Sequence, residues 1–185
     1  MLRPWVTLSS EYALDEPWLR VRRDTVLLPN GTVLDDYYLW EGRDWVAVFA
    51  LTVDGKVLLV RQYRQAVAGL VWELPGGTLS AGEDAVAAGL RELREETGYQ
   101  AERGELLARF SVDPPKATFW NHLALAFGCR QAGPQELDHS EEIEVSLLDP
   151  SELLEWVRQG RIWAQSSVAC IYRSLDYLQR MDLLP

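Results

Sequence analysis

Short apolar runs bounded by turn residues recur along the chain, a pattern that predicts β-strands. Between Trp18 and Trp40, β-branched and aromatic residues are interrupted by Pro29-Asn30-Gly31, and the Asn-Gly pair predicts a hairpin of two strands. Asp54-Gly55 predicts a second hairpin turn in the same way. The further predicted strands are Trp45 to Thr52, Lys56 to Tyr63, Val71 to Leu74, Leu106 to Val112, Trp120 to Phe127 and Ile143 to Leu148.

Helical signals occur at three places. Ser80 followed three residues later by Glu83 is a capping-box pattern, and Gly98 is a typical C-terminal stop, so we predict a helix from about Gly82 to Thr97. Two later helices are predicted from Asp149-Pro150 to Gly160 and from Ser166 to Met181. Strands that enclose one helix and precede two more predict an α/β sandwich with a mixed sheet, preceded by an N-terminal β-ribbon.

The first predicted helix has one acidic face and one apolar face. At about 100° per residue, Glu92, Glu95 and Glu96 fall within an arc of about 100°. The far side carries Val86, Leu90, Leu93 and Thr97. Clustered like charges repel, so a positive group is expected among them, and hard divalent cations such as Mg²⁺ prefer oxygen ligands. The alternative is a solvated acidic helix surface.

A longer motif surrounds this acidic face. Gly77 is followed after five residues by Glu83 and, after seven more, by Arg91-Glu92-Leu93-Arg94-Glu95-Glu96-Thr97-Gly98-Tyr99. This stretch resembles the Nudix box and departs from it only at Tyr99, where an aliphatic residue is usual. The resemblance implies a Nudix hydrolase with an α/β/α sandwich fold. In such an enzyme, water attacks the diphosphate of a nucleoside diphosphate linked to another group, with the assistance of Mg²⁺.

The same resemblance implies roles for the box residues. Glu92, Glu95 and Glu96 would hold the metal, Mg²⁺ or alternatively Mn²⁺, with help from the carbonyl of Gly76. Four other box residues would be structural: Gly77, Glu83, Arg91 and Gly98. Among these, Glu83 and Arg91 would pair and brace the loop against the helix.

Two features are similar to the branch of that family that cleaves ADP-ribose and related nucleoside diphosphate sugars. These are the Arg61-Gln62-Tyr63-Arg64 segment and Pro115, sixteen residues after Tyr99. An arginine fork grips phosphate oxygens well, which favours Arg64 for substrate binding and Arg61 as the second candidate; the alternative is a strand-end arginine that extends to solvent. In the resembled branch an acidic residue often follows this proline. Residues 114–120 contain no acid, which leaves open the identity of the second sugar of the substrate.

Aromatic residues near the N-terminal segment are candidates for stacking on a nucleobase. We expect one of Tyr37, Tyr38, Trp40 and Trp45 to do so; the alternative, favoured for any single one of them, is a place in the core or at a dimer interface. In the resembled branch the N-terminal segment exchanges across a homodimer. We therefore expect residues 1–44 to serve dimerisation and the nucleoside pocket, and residues 45–185 to form the Nudix hydrolase domain.

The base that activates water is expected in the acidic stretch 138–144, because the resembled branch supplies it from a loop before a late strand. Glu141 matches best and Glu142 second, with the box residue Glu95 as the further candidate. The alternative is a solvated acidic loop, in which His139 is a surface residue.

Composition restricts the partners. A net charge of −10 argues against nucleic acid, and no apolar run reaches the ~20 residues of a membrane span. Without a signal peptide's apolar segment, the chain is expected to be soluble and cytoplasmic. Cys129 and Cys170 have neither disulfide-framework nor zinc spacing, so we expect buried free thiols.

Three other functions compete with a nucleoside diphosphate sugar hydrolase. They are a hydrolase of a nucleoside diphosphate derivative unrelated to ADP-ribose, such as GDP-mannose or a dinucleoside polyphosphate, a non-catalytic Nudix-fold sensor of ADP-ribose, and a structural dimer module. Sensors typically lose box carboxylates, whereas this chain keeps them all, and a structural module leaves the acidic face unexplained. The sequence therefore favours the enzyme.

Overall fold

The computed structural model describes residues 2–184, so the terminal residues of the two expected ranges, Met1 and Pro185, lie outside it. The strands are β1 (Val6–Glu16), β2 (Leu19–Leu27), β3 (Val33–Glu41), β4 (Trp45–Thr52), β5 (Val57–Arg64), β6 (Gly69–Glu73), β7 (Gly76–Thr78), β8 (Tyr99–Gln100), β9 (Arg103–Ser111), β10 (Trp120–Gln131) and β11 (Glu144–Leu148). The helices are α1 (Ala85–Thr97), α2 (Pro150–Arg158) and α3 (Gln165–Arg180).

The chain divides into two compact units. The first contains the residues up to Asp44 together with Ser111–Trp120, and it holds a three-stranded antiparallel sheet in the order β1-β2-β3. Arg22 contacts Asp24 of the same strand at 2.9 Å and joins β2 to β3 through its ion pair with Glu41. The guanidinium of Arg22 holds the pKa of the buried Asp24 below its usual value. Every described residue of β1 is exposed.

The second unit contains Trp45–Phe110 and the residues from Asn121 onward, and its core lies on both faces of a mixed sheet. The main strand order is β11-β5-β4-β10-β8, in which β4 and β10 run parallel and their other neighbours are antiparallel. Along β4, Val46 and Val48 pack with Leu93 of α1, whereas Phe49 packs on the other face with Ile171 of α3. Alternating side chains of one strand thus bury helices on both sides.

The expected α/β/α sandwich with a mixed sheet is confirmed, and so are its three helices. The start of the first helix was wrong, because α1 begins at Ala85 rather than at Gly82. Asp84, and not Ser80, is the N-cap: its carboxylate accepts hydrogen bonds from the N–H groups of Val86 and Ala87. Gly82 has a φ of 77° and so cannot continue a right-handed helix.

The N-terminal prediction was incomplete, because the ribbon has three strands rather than two. The hairpin at Asn30-Gly31 is present between β2 and β3, and β1 adds to the free edge of β2. Since β1 is exposed along its whole length, selection for a buried face does not impose a strict apolar alternation on its sequence.

Both cysteines are buried free thiols, as expected. Burial raises the pKa of Cys129 and that of Cys170 to about 12, which keeps both thiols protonated and unreactive. Among the helices formed by residues 2–184, none has the length and apolar character that crossing a bilayer requires.

Candidate active site

A cavity of about 580 Å³ opens in the second unit over the acidic face of α1. Side chains and backbone from the sheet, from α1, from the segment before β11 and from α3 meet around it. Its lining residues are Trp45, Gln62, Arg64, Glu73, Leu74, Gly76, Gly77, Thr78, Arg91, Glu92, Glu95, Glu96, Glu136, Asp138, Glu141 and Ser167. The cavity therefore collects seven carboxylates and two guanidinium groups.

Glu96 is the most deeply placed of the three box glutamates, with only 4% of its surface exposed. Its Oε2 accepts a hydrogen bond of 2.8 Å from the backbone N–H of Gly76. Burial raises the pKa of Glu96 to about 8, although the Gly76 hydrogen bond opposes that shift, and the charges of Glu92 and Glu141 add to it. A bound cation would reverse this cost by favouring the carboxylate.

Arg91 supplies the positive charge that the acidic face requires. Its Nη1 donates to Glu92 Oε1 and to Glu95 Oε2, both at 2.9 Å, while its Nε donates to Glu83 Oε1 at 3.1 Å. The expected pairing of Glu83 with Arg91 is therefore present, and the Arg91 hydrogen bond lowers the pKa of Glu83. Burial raises the pKa of Glu92, against the attraction of Arg91.

The residues fit a hard divalent cation. Three carboxylates and the backbone of Gly76 line the same cavity, and the ligands they offer are all oxygen atoms. A Cβ atom on Gly77 would overlap the carboxylate of Glu92, so the glycine keeps that carboxylate's space open. Within residues 2–184 no three acidic, His or Cys side chains converge at metal-ligand spacing; two of these carboxylates contact Arg91, and the third contacts the Gly76 N–H.

Arg64 and Arg61, the two candidates for phosphate binding, point to different surroundings. Arg64 lines the cavity, where its Nε donates a hydrogen bond of 2.9 Å to Glu73 Oε2 and its Nη2 forms an ion pair with the same oxygen at 2.8 Å. Arg61 lies over the ring of Trp72 and near Glu144, and it is not part of the cavity lining. Because side chains alternate along β5, Gln62 joins Arg64 on the cavity side.

Of the four aromatic candidates, Trp45 lines the cavity at the start of β4. The other three belong to the first unit. There the hydroxyl of Tyr37 donates to the carbonyl of Pro115 at 2.6 Å, and Trp40 packs edge-on against Phe119 at 4.8 Å. Tyr38 is exposed.

The structure brings Glu141 to the cavity, together with Asp138 of the same loop. Glu142 is exposed and lies outside the lining, as does the exposed His139. The two candidates for the base in this loop are therefore distinguished by position.

Several lining residues were not anticipated. Gln62 could have been chosen from the two-residue alternation with Arg64. Glu73 stands three residues before the glycine pair and Thr78 directly after it, but no sequence signal marks them as cavity residues. Ser167 enters from α3, where its Oγ accepts a hydrogen bond from the N–H of Leu74, ninety-three positions earlier in the chain. A contact that distant is set by tertiary packing, and local pattern does not encode it.

Comparison with known proteins identifies the family. The profile of the NUDIX domain matches residues 43–167, and that of the nucleoside diphosphate sugar hydrolase N-terminal domain matches residues 5–40. The chain is 33% identical over 180 residues to a methanol dehydrogenase activator of Bacillus methanolicus, covering 96% of this chain and 94% of the relative. It is also 33% identical over 179 residues to an ADP-ribose pyrophosphatase of Bacillus subtilis, with the same coverages.

A solved structure supports the same fold. An ADP compounds hydrolase superposes with a TM-score of 0.89 over 100% of this chain and 99% of its own, at 17% identity. With the two profiles and the relatives, the chain belongs to the Nudix family and is a Nudix hydrolase. Enzymes of this family generally need a divalent metal ion and act on small nucleotide substrates.

The Gly77 position gives a test of the predicted metal site that is independent of turnover. Gly77→Ala should weaken Mn²⁺ binding about 10- to 100-fold, because the added methyl group displaces the carboxylate of Glu92. The fold should survive, since the displaced group is the end of a flexible side chain. Isothermal titration with Mn²⁺ measures the affinity.

Gly69→Ala is the matched control, because a Cβ there meets no atom closer than 3.7 Å and the residue does not line the cavity. It should bind Mn²⁺ as the wild type does. Equal affinities for both variants would contradict the assignment of Glu92 as a ligand.

Proposed function

We propose that this enzyme hydrolyses the diphosphate bond of ADP-ribose or a related nucleoside diphosphate sugar, releasing a nucleoside monophosphate and a sugar phosphate. The observation that carries the proposal is one cavity shared by the three box glutamates, Arg64 and Glu141. The name of the Bacillus subtilis relative and the match of the N-terminal profile support the substrate class.

The proposal assigns metal binding to Glu92, Glu95, Glu96 and the Gly76 carbonyl. Mg²⁺ is the ion of choice and Mn²⁺ the alternative, since both accept carboxylate and carbonyl oxygens. When bound, the cation supplies Lewis-acid polarisation of the diphosphate and offsets its negative charge. Arg91 neutralises the same face from the side of Glu83.

Arg64 is the residue that grips the substrate's phosphate oxygens. Glu73 fixes the guanidinium through its Nε and Nη2, and the two N–H groups of Nη1 extend the same planar fork toward an oxyanion. Arg61 is the weaker candidate, because its guanidinium is engaged over Trp72.

Glu141 accepts the proton of the attacking water. The water oxygen forms a bond to phosphorus, the bridging P–O bond breaks, and the phosphate that leaves retains the bridging oxygen. Glu141 borders the cavity beside the box glutamates, whereas Glu142 is exposed and Glu95 is hydrogen-bonded to Arg91. A base must reach the reacting water, so position favours Glu141.

The N-terminal range 1–44 is assigned to dimerisation and the nucleoside pocket, and the range 45–185 to the hydrolase domain. An isolated ribbon that exposes large apolar side chains needs a covering surface, and a second copy of the chain supplies one. The exposed apolar residues on β1 are Val6, Leu8, Tyr12 and Leu14. Tyr38, Trp40 and Trp45 remain the candidates for stacking on the base.

A cytoplasmic location completes the proposal. Cys129 and Cys170 are both free, which suits a reducing compartment.

The substrate class is tested by assaying ADP-ribose, GDP-mannose, UDP-glucose and diadenosine polyphosphates with phosphatase-coupled phosphate release. ADP-ribose or another nucleotide sugar should dominate, and turnover should require the metal. Glu96→Gln should lower kcat by about two to four orders of magnitude, because it removes a charge that holds the cation at the reacting phosphate. Exposed Glu152→Gln on α2 is the control and should retain full activity.

Dominant hydrolysis of diadenosine polyphosphates would replace the proposed substrate class. Normal turnover by a folded Glu96→Gln protein at saturating Mg²⁺ would refute the metal assignment.

The base is tested by comparing Glu141→Gln with Glu142→Gln on the preferred substrate. Glu141→Gln should lower kcat by about 10²- to 10⁴-fold while KM and Mg²⁺ affinity stay near wild-type values, since a proton acceptor acts mainly in the transition state. Glu142→Gln should be nearly unaffected. The reverse pattern would move the base to Glu142, and normal activity of both would transfer the role to Glu95.

The dimer is tested with the full chain by light scattering coupled to size-exclusion chromatography. The wild type should have twice the chain mass, and Val6→Glu combined with Leu8→Glu should yield monomers with reduced activity, because charges on β1 oppose apolar contact. Leu106→Glu on β9 changes a similarly exposed leucine of the second unit and should leave the dimer intact. A monomeric wild type would exclude this assembly.

A further inference from the structure

The segment between β10 and β11, residues 132–143, is called the acidic loop here because it contributes Glu136, Asp138 and Glu141 to the cavity. Its position relative to α1 decides where these carboxylates stand. The contacts that fix it are therefore part of the site, although most of them lie outside the cavity lining.

The acidic loop is attached to the C-terminal end of α1, where the last carbonyl groups have no partner within the helix. The N–H of Glu136 donates to the carbonyl of Glu95 at 2.8 Å. The N–H groups of Ala132 and Gly133 donate to the carbonyl of Gly98 at 2.9 and 3.2 Å. The loop thus completes the hydrogen bonding of the helix end.

Gln135 makes the contact that links both ends of the loop. Its Nε2 donates to the carbonyl of Glu96 at 2.6 Å and to the carbonyl of Ile143 at 3.0 Å. A primary amide carries two N–H donors, so one side chain satisfies both carbonyls. Gln135 therefore joins the helix end, the start of the loop and the residue just before β11.

The part of the loop between these anchors holds Glu141 in a defined turn. The N–H of Glu141 donates to the carbonyl of Asp138 at 2.9 Å, and the N–H of Asp138 donates to Glu141 Oε2 at 3.0 Å. These two hydrogen bonds fix Asp138 and Glu141 relative to each other. The position of this turn over the cavity then depends on the hydrogen bonds of Gln135 to the carbonyls of Glu96 and Ile143.

We propose that Gln135 is a positioning residue for catalysis: its two hydrogen bonds fix the acidic loop, and with it Glu141, relative to the metal-binding glutamates. The proposal rests on the assignment of Glu141 as the base. The backbone carbonyl that Gln135 contacts belongs to Glu96, whose carboxylate is on the metal face. Gln135 thereby fixes the position of the base relative to the helical turn that carries the proposed metal ligands.

The kinetic consequence follows from the sensitivity of catalysis to geometry, since displacement of a reacting group by about 1 Å costs about 10²-fold in rate. Gln135→Leu removes both donors and keeps a side chain of similar size. It should lower kcat about 10- to 100-fold, while KM and Mn²⁺ affinity stay within about twofold of wild type. A general loss of structure would alter all three and lower the melting temperature as well.

Two further variants sharpen the test. Gln135→Glu keeps the shape but offers no N–H donor to the two carbonyls, so its kcat should fall at least as far as that of Gln135→Leu. Arg94→Gln removes the exposed ion pair with Glu136, which links the same helix to the same loop, and should keep kcat within about twofold. A loss in Arg94→Gln as large as in Gln135→Leu would assign the effect to general tethering and overturn the proposal.

Amide hydrogen exchange reports on the anchor without any substrate. In Gln135→Leu, the amides of Glu136 and Glu141 should exchange at least about tenfold faster, while those of α3 stay unchanged. Unchanged exchange at both amides, or unchanged kcat in an active enzyme, overturns the proposal. A wild type that cleaves no nucleotide sugar overturns the proposed function instead, and the exchange measurement still decides whether Gln135 anchors the loop.

Discussion

Negative charge gathered on one face of α1 is the constraint around which the second unit is built. Glu92 and Glu96 are both largely withdrawn from water, and burial of a carboxylate is costly unless a donor or a cation faces it. In this structure Arg91 faces Glu92 and Glu95, and the Gly76 N–H faces Glu96. The N–H of Gly76 in β7 offsets the charge of the buried Glu96 carboxylate in α1, and that carboxylate is the acceptor for the N–H. Helix α1 and strand β7 therefore stabilise each other.

The glycine pair sets how closely the backbone of β7 approaches the carboxylates of α1. Gly76 and Gly77 pair with Ala47 and Val46 of the central strand β4, so backbone hydrogen bonds fix β7 to the sheet. Side chains are excluded on both sides: a Cβ at Gly76 would collide with the Val46 carbonyl, and one at Gly77 with the Glu92 carboxylate. The box carboxylates and the Gly76 backbone can come together only where β7 approaches α1 this closely. The apolar core that contains β4 holds both elements in place.

Much of this arrangement could be predicted because it is local. The spacing of three glutamates on one helix and the Asn30-Gly31 hairpin are set by neighbours in sequence, and the Glu83–Arg91 pair was implied by the resemblance to the Nudix box. The errors have physical causes too. Asp84 displaced Ser80 as N-cap because the left-handed φ of Gly82 keeps the preceding residues out of the helix, and the exposed strand β1 has no buried face to impose alternation. Ser167 and Gln135 act through contacts made across the fold, which no local pattern encodes.

The C-terminal end of α1 shows how the two kinds of contact are combined. A helix C-terminus carries partial negative charge, so Glu95 and Glu96 lie at its electrostatically unfavourable end. Arg94 offsets this by its positive charge in the same last turn, and the N–H donors of the acidic loop offset it by hydrogen bonds to the carbonyls of Glu95, Glu96 and Gly98. The loop that stabilises the helix end is also the one that carries Glu141. A single set of hydrogen bonds therefore serves both the stability of the acidic turn and the placement of the residue facing it.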